Sequence, residues 1–160
     1  MNKQMIIDTL AGGKMQFLGT FNAVPDDKLT WKPLDLGRTV LDLAGDAAQT
    51  PQVTAQVLQI QPGAPIPPMG QLMAQMVAER AKWSRADVIE HLESGHAALV
   101  KVIEGLSDED LERPLSIPMR GDFSLTLPIA RWALLPYRSY VSRFGQINYI
   151  QTLYGDMDGH

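Results

Sequence analysis

Cysteine is absent from the 160-residue chain, and with it go disulfides, thiolate metal sites and a cysteine nucleophile. No apolar run approaches the ~18 residues that a membrane-spanning helix needs, so no membrane partner is expected. The opening "MNKQMIIDTLAGGKM" has one early lysine and an apolar run broken at Asp8, unlike the basic-then-apolar order of a secretion signal, and residence in the cytoplasm is the expectation. An excess of positive charge is missing too. Fourteen Lys and Arg stand against eighteen Asp and Glu, a net −4 with an isoelectric point near 5.3, and the basic residues are scattered. A nucleic-acid partner needs concentrated cations to displace counterions from phosphates, so none is expected here.

What is present suits one globular unit. The chain is 45% hydrophobic and 20% charged with a mean hydropathy of −0.09, and its length suffices for one domain, residues 1–160, with a substantial core. Helical spacing dominates. Ile6, Leu10, Gly13, Phe17, Phe21 and Val24 recur every three or four residues, which predicts a helix over about 2–24 stopped by Pro25. After the connector "PDDKLTWKPLDLG", Thr39 is placed to cap a second helix, with Asp42 favourably near its positive end. The inward stripe there is Val40, Leu43, Ala47, Thr50, Thr54 and Val57, Asp46 lies at its edge, and Pro51 should kink or split the helix.

"QPGAPIPPMG" is too rich in proline for helix and reads as a long extended connection. A short amphipathic helix with Leu72, Met73, Met76 and Val77 comes next, its methionines along with Met69 assigned to packing. "SRAD" at Ser84–Asp87 starts the third long helix, with Ile89, Leu92, His96, Leu99 and Ile103 inward and Gly105 at its end. "GLSDEDLERPLSIP" reads as a turn into a short extended pair with "MRGDF" at the tip; the acidic run Asp108–Asp110 is assigned to the solvated surface. The last helix is expected from about Thr126, with Pro128 in its first turn, to Tyr154. Its stripe is Trp132, Leu135, Ser139, Arg143, Gln146, Ile150 and Leu153, polar in the middle. Trp31, Trp83 and Trp132 are expected as packing anchors. The fold class is therefore all-α: a four-helix bundle with a long proline-rich connection between long helices two and three and a small hairpin before the fourth. That connection would let two successive helices run parallel.

Common catalytic patterns are missing: no glycine-rich phosphate loop succeeds a strand, and no His-Glu-x-x-His occurs. "RTVLDLAGDAAQ", "GLSDEDLERPL", "GDFSLTLPIARW" and "FGQINYIQTLYGD", in this order across nearly the whole chain, resemble the landmarks of the DinB-like superfamily, also known as the YfiT-like metal-dependent hydrolases. The resemblance implies a four-helix bundle that often forms a homodimer and usually holds zinc or nickel on three histidines. Family members of known activity are mostly transferases or isomerases using thiols such as bacillithiol or mycothiol. In that pattern one ligand lies early in the second helix and two lie in the fourth, as His-x-x-x-His, one residue, then Gly-Gln.

Carried over position by position, the resemblance puts the ligands at Asp46, Ser139 and Arg143, with Gly145-Gln146 as the landmark. None is a histidine. Arg143 has five donors and no lone pair, and its charge repels a cation, so neither a metal nor another cofactor is expected. Of the three histidines, His91 lies off its stripe, His160 ends the chain, and His96 faces inward as a hydrogen-bonded core residue. Two accounts of the polar face stay open. Asp46 and Arg143 could pair in place of the metal, or Arg143 could meet a small anionic or thiol-containing ligand oriented by Gln146, Ser139 and Tyr137. Three functions are then open: a metal-free binding protein, a thiol-dependent transferase or hydrolase-like enzyme, in which Asp46 and His96 could recruit a metal, and a dimerisation module with a vestigial site.

Overall fold

The computed structural model describes residues 2–61, 64, 69–118 and 123–160, with Met69 and Gly70 as backbone only. Most of the proline-rich connection and most of the "MRGDF" tip lie outside the described residues. Four long helices carry the fold: α1 (Lys3–Ala23), α2 (Val40–Leu58), α4 (Arg85–Gly105) and α7 (Leu135–Leu153). Between them come α3 (Met69–Arg80), α5 (Asp108–Glu112), strands β1 (Pro114–Pro118) and β2 (Ser124–Pro128), and α6 (Ile129–Ala133).

The helix starts obey their caps. Asn2 accepts from the Met5 amide, Thr39 from Asp42, and Ser84 forms a reciprocal box with Asp87, each satisfying donors the first turn leaves open. All six residues of the α1 stripe are buried. The α4 stripe is buried as expected, except that Val88 takes the deep position and Ile89 lies half-buried.

Core composition gives the helix directions. One cluster joins Phe17 and Phe21 late in α1, Val40 and Leu43 early in α2, Val88 and Leu92 early in α4, and Ile147 and Ile150 late in α7. The other joins Ile6, Leu10, Leu58, Leu99 and Ile103 with the hairpin and α6. So α2 and α4 run parallel, α1 and α7 run parallel, and the two pairs oppose each other. The α2–α4 seam is close: a Cβ on Gly95 would sit 3.1 Å from the Gln52 backbone nitrogen.

Pro51 does not split α2, which is helical from Val40 to Leu58. Packing of α2 against both α4 and α7 outweighs the missing backbone bond and the ring clash, which together cost about 3 kcal/mol. "SDEDLE" is also not a plain turn: Ser107 and Asp110 form a second capping box and hold the short helix α5. Its acidic residues lie at the surface.

The last helix departs most from expectation. Thr126 belongs to β2, where it faces Ser116 in an antiparallel register and their hydroxyls bond at 3.1 Å. Pro128 ends that strand. Helix then starts at Ile129, breaks at Leu134 just before Pro136, and resumes, since proline cannot supply the amide that would carry the ladder through. In α7 the buried residues are Pro136, Tyr140, Ile147, Ile150 and Gln151, so Ser139 and Arg143 are half-buried at the edge of this face, while Gln146 and Leu153 are exposed.

Trp132 and Trp83 are buried anchors; Trp132 Nε1 donates to the Leu115 carbonyl at 2.8 Å, tying α6 to β1. Trp31 meets Tyr154 edge-on. On α3 the packing role of the methionines holds for Met76 and not for Met73, which is 59% exposed beside an exposed Val77.

Candidate functional site

The site begins with spacing. Arg38, Asp42 and Asp46 succeed each other at intervals of four, which stacks them on one side of α2 and its entry. Arg38 pairs with the Asp42 carboxylate through Nε, donates from Nη2 to the Asp42 carbonyl at 3.2 Å, and reaches Asp46 Oδ2 from Nη1 at 3.4 Å. The end of α3 brings in Arg80. Its stem lies across Gly45, where an added Cβ would be 3.2 Å from Arg80 Cβ. Arg80 Nε donates to Asp42 Oδ1 at 2.9 Å, and its Nη1 is 3.3 Å from both Asp46 Oδ1 and Gln49 Oε1. Gln49 in turn donates to the Met76 carbonyl at 2.9 Å, tethering α3.

From α7, Arg143 Nε donates to Asp46 Oδ2 at 3.0 Å and its Nη2 bonds the same oxygen. Nη1 donates to Gln146 Oε1 at 2.7 Å. The Thr50 hydroxyl donates to the Asp46 carbonyl at 2.9 Å and lies 3.4 Å from Ser139 Oγ. Three guanidiniums thus surround two carboxylates, leaving one positive charge in excess.

The side chains of Asp46 and Arg143 keep 25% and 21% of their surface exposed, and Arg80 only 9%. For Asp42, burial works against ionisation, but hydrogen bonds from Arg38 and Arg80 outweigh it and hold the carboxyl below the usual range. Burial likewise opposes the charge on Arg38, and the Asp42 contact overcomes it, so its pKa is raised.

Of the expected site residues, Asp46, Ser139, Arg143 and Gln146 come together. Tyr137 does not join them: its ring packs on Gly13 of α1. His96 does not join them either. It is buried on α4, where burial and then Lys14 lower its pKa, opposed by Glu93. Contrary to the expected hydrogen-bonded role, its Nδ1 has no partner among the described residues. His91 is exposed and stacks on Trp83, and His160 pairs with Asp156. The members sequence reasoning missed are Arg38, Asp42 and Arg80. The four-residue spacing could have flagged the first two, whereas Arg80 is brought in by tertiary structure alone.

The Tyr140 hydroxyl is also buried without a partner among the described residues. Burial, and then Glu93, push its pKa upward. Because the hydroxyl is desolvated and makes no compensating bond, Tyr140→Phe should leave stability unchanged or raise it by up to about 1 kcal/mol. Urea denaturation measures this, and a loss above that size would mean the hydroxyl is bonded in solution.

The metal site that the sequence resemblance implies does not fit these residues. At the three positions stand a carboxylate already engaged by three guanidiniums, a hydroxyl, and a cation with no lone pair. Among the described residues, no three His, Cys, Asp or Glu side chains gather where they could hold an ion. No helix among them is long and apolar enough to cross a membrane.

A bundle of two opposed parallel pairs with a polar cluster at one seam defines a class. Residues 10–135 match the DinB superfamily, and the chain belongs to it. That match ends before Ser139, so the placing of the α7 positions rests on the "FGQ" landmark and on the geometry above. Solved structures share the fold. An uncharacterised protein from Clostridium difficile 630 is 15% identical with a TM-score of 0.71, covering 95% of this chain and 96% of that one. YfiT from Bacillus subtilis, named a probable metal-dependent hydrolase with an unusual four-helix bundle topology, is 17% identical with a TM-score of 0.67, covering 96% and 87%. A mycothiol-dependent maleylpyruvate isomerase is 12% identical with a TM-score of 0.65, covering 92% and 61%. No curated protein matches the sequence.

Proposed function

We propose that this protein is a metal-independent ligand-binding member of the superfamily, in which a lattice of ion pairs stands in the place of the metal centre and offers its surplus cation to a small anion. The observation that carries this reading is the ratio of three arginines to two aspartates around Asp46. Arg80 and Arg143 are spent on cross-linking α3 and α7 to α2. Arg38 is the most exposed of the three, at 37%, and it borders an open cleft with Gln146. A guanidinium there suits a carboxylate or phosphate. The swap keeps a cross-link between α2 and α7 while changing what the site can attract, from a Lewis base to an anion.

Two measurements test it. Protein dialysed against EDTA should unfold at the same urea concentration as untreated protein, and adding zinc or nickel should not shift that midpoint. Acetate should bind weakly, with an affinity that falls as salt rises and is lost in Arg38→Gln. A midpoint that drops on chelation and is restored by nickel would overturn the metal-independent reading.

A further inference from the structure

The cleft beside Arg38 continues away from the lattice. Its polar end is lined by Arg38, Gln146 and Leu43. Through Pro33, Tyr149 and Ile150, which line both parts, it runs into a cavity of about 390 Å³ closed by Trp31, Leu34 and Leu153. That second part is lined by aliphatic and aromatic residues. It falls in the size range of small-molecule sites, about 300–1,000 Å³, which pair apolar walls with a few polar groups that set orientation.

Several of its walls are large apolar groups held in solvent: Leu34 is 75% exposed, Tyr149 64% and Leu153 47%. A contiguous set of this kind at the surface marks an interaction site more often than isolated apolar residues do. The polar end has two donors. Arg38 belongs to the lattice that carries the surplus charge, and Gln146, whose Oε1 is taken by Arg143, has an amide nitrogen with no acceptor among the described residues. Arg143 therefore fixes which end of that amide is free.

Building on the anion-binding reading, we propose that the cleft binds an organic carboxylate with an aromatic or branched apolar body, its carboxylate against Arg38 and Gln146 and its body between the Trp31–Leu34 connector and the last turns of α7. Each half alone gives only a weaker complex. An inorganic anion would leave the apolar walls wet, and a neutral apolar molecule would leave the Arg38 charge unmet.

The experiment is calorimetric titration of the whole chain with phenylpropionate, with its alcohol phenylpropanol and with acetate, together with amide shift mapping. Phenylpropionate should bind about tenfold or more tighter than either comparison, since burying a ring and meeting a guanidinium each contribute on that scale. Amide shifts should cluster at Leu34, Tyr149 and Leu153. In Arg38→Gln the preference for the acid over the alcohol should vanish while the alcohol still binds. If acetate binds as tightly as phenylpropionate, the apolar part of the proposal falls and anion binding stands. If neither acid binds the wild-type protein, both fall. Shifts clustered elsewhere, or found at these residues only because phenylpropionate dissociates a pair of chains, would overturn the proposal as well.

Discussion

Asp46→Ala should lower the unfolding free energy by about 3 kcal/mol, the range found when one partner of a desolvated ion pair is removed. The carboxylate meets Arg143, Arg80 and Arg38 at once, and its loss leaves Arg38 and Arg80 on Asp42 and strands Arg143. Arg143 is the costly one, because Asp46 is its carboxylate partner, whereas Arg80 keeps Asp42 at 2.9 Å. Partial exposure of Asp46 and Arg143 holds the effect below that of a fully buried pair. Asp46→Ala combined with Arg143→Leu should regain much of the loss, since the stranded charge on α7 goes with it. Urea denaturation of the single and double variants measures both quantities. A loss under 1 kcal/mol for Asp46→Ala would place the cluster with ordinary surface pairs.

Asp46→His, Ser139→His and Arg143→His together should turn a chain that ignores nickel into one that binds it. The three positions converge: Asp46 and Arg143 are bonded, and Ser139 lies 3.4 Å from Thr50, the residue whose hydroxyl holds the Asp46 carbonyl. Residues four apart on α7 present two imidazoles to one face, as a shared ion requires. At a hundredfold excess over Kd, nickel should stabilise the triple variant by about 2.7 kcal/mol, read as a rise in Tm, and leave the wild type unmoved. Folded triple variant that takes up no nickel would show that the register counted back from Gly145-Gln146 is wrong.

Much of the fold was legible because its signals are local. The α1 stripe is buried at every expected position, and the caps at Thr39 and Ser84 lie where the side chains predicted them. The polar stripe of the last helix was misplaced for a definite reason. The expected stripe steps from Trp132 to Leu135 and Ser139, whereas the buried residues step by four from Trp132 to Pro136 and Tyr140. Tyr140 and Ile147 thereby go inward, and the polar run becomes an edge. An edge rather than a buried face thus carries Arg143, which pairs there with Asp46.

The candidate site was legible only where it keeps to chain order. Asp46 and Arg143 came from the family landmarks, and Arg38 with Asp42 could have come from spacing. Arg80 could not, because nothing in "MVAER" tells which helix its end will touch. The hydrogen-bonding expectation for His96 failed on similar ground: burial can be read from periodicity, but a partner for Nδ1 depends on neighbours that sequence does not rank.

The parallel course of α2 and α4 has a consequence for how the chain is held. A 19-residue helix spans about 28 Å, and a parallel neighbour can begin only after the chain has travelled that length back. The described end of that return, α3, acts as a strap across α2. What fastens the strap is Arg80, clasped by Asp42 and Asp46 just before α4 begins at Arg85. The lattice is therefore a buckle as well as a site: its carboxylates decide at once how α7 is pinned, how the connection is closed and how much positive charge is left for a ligand.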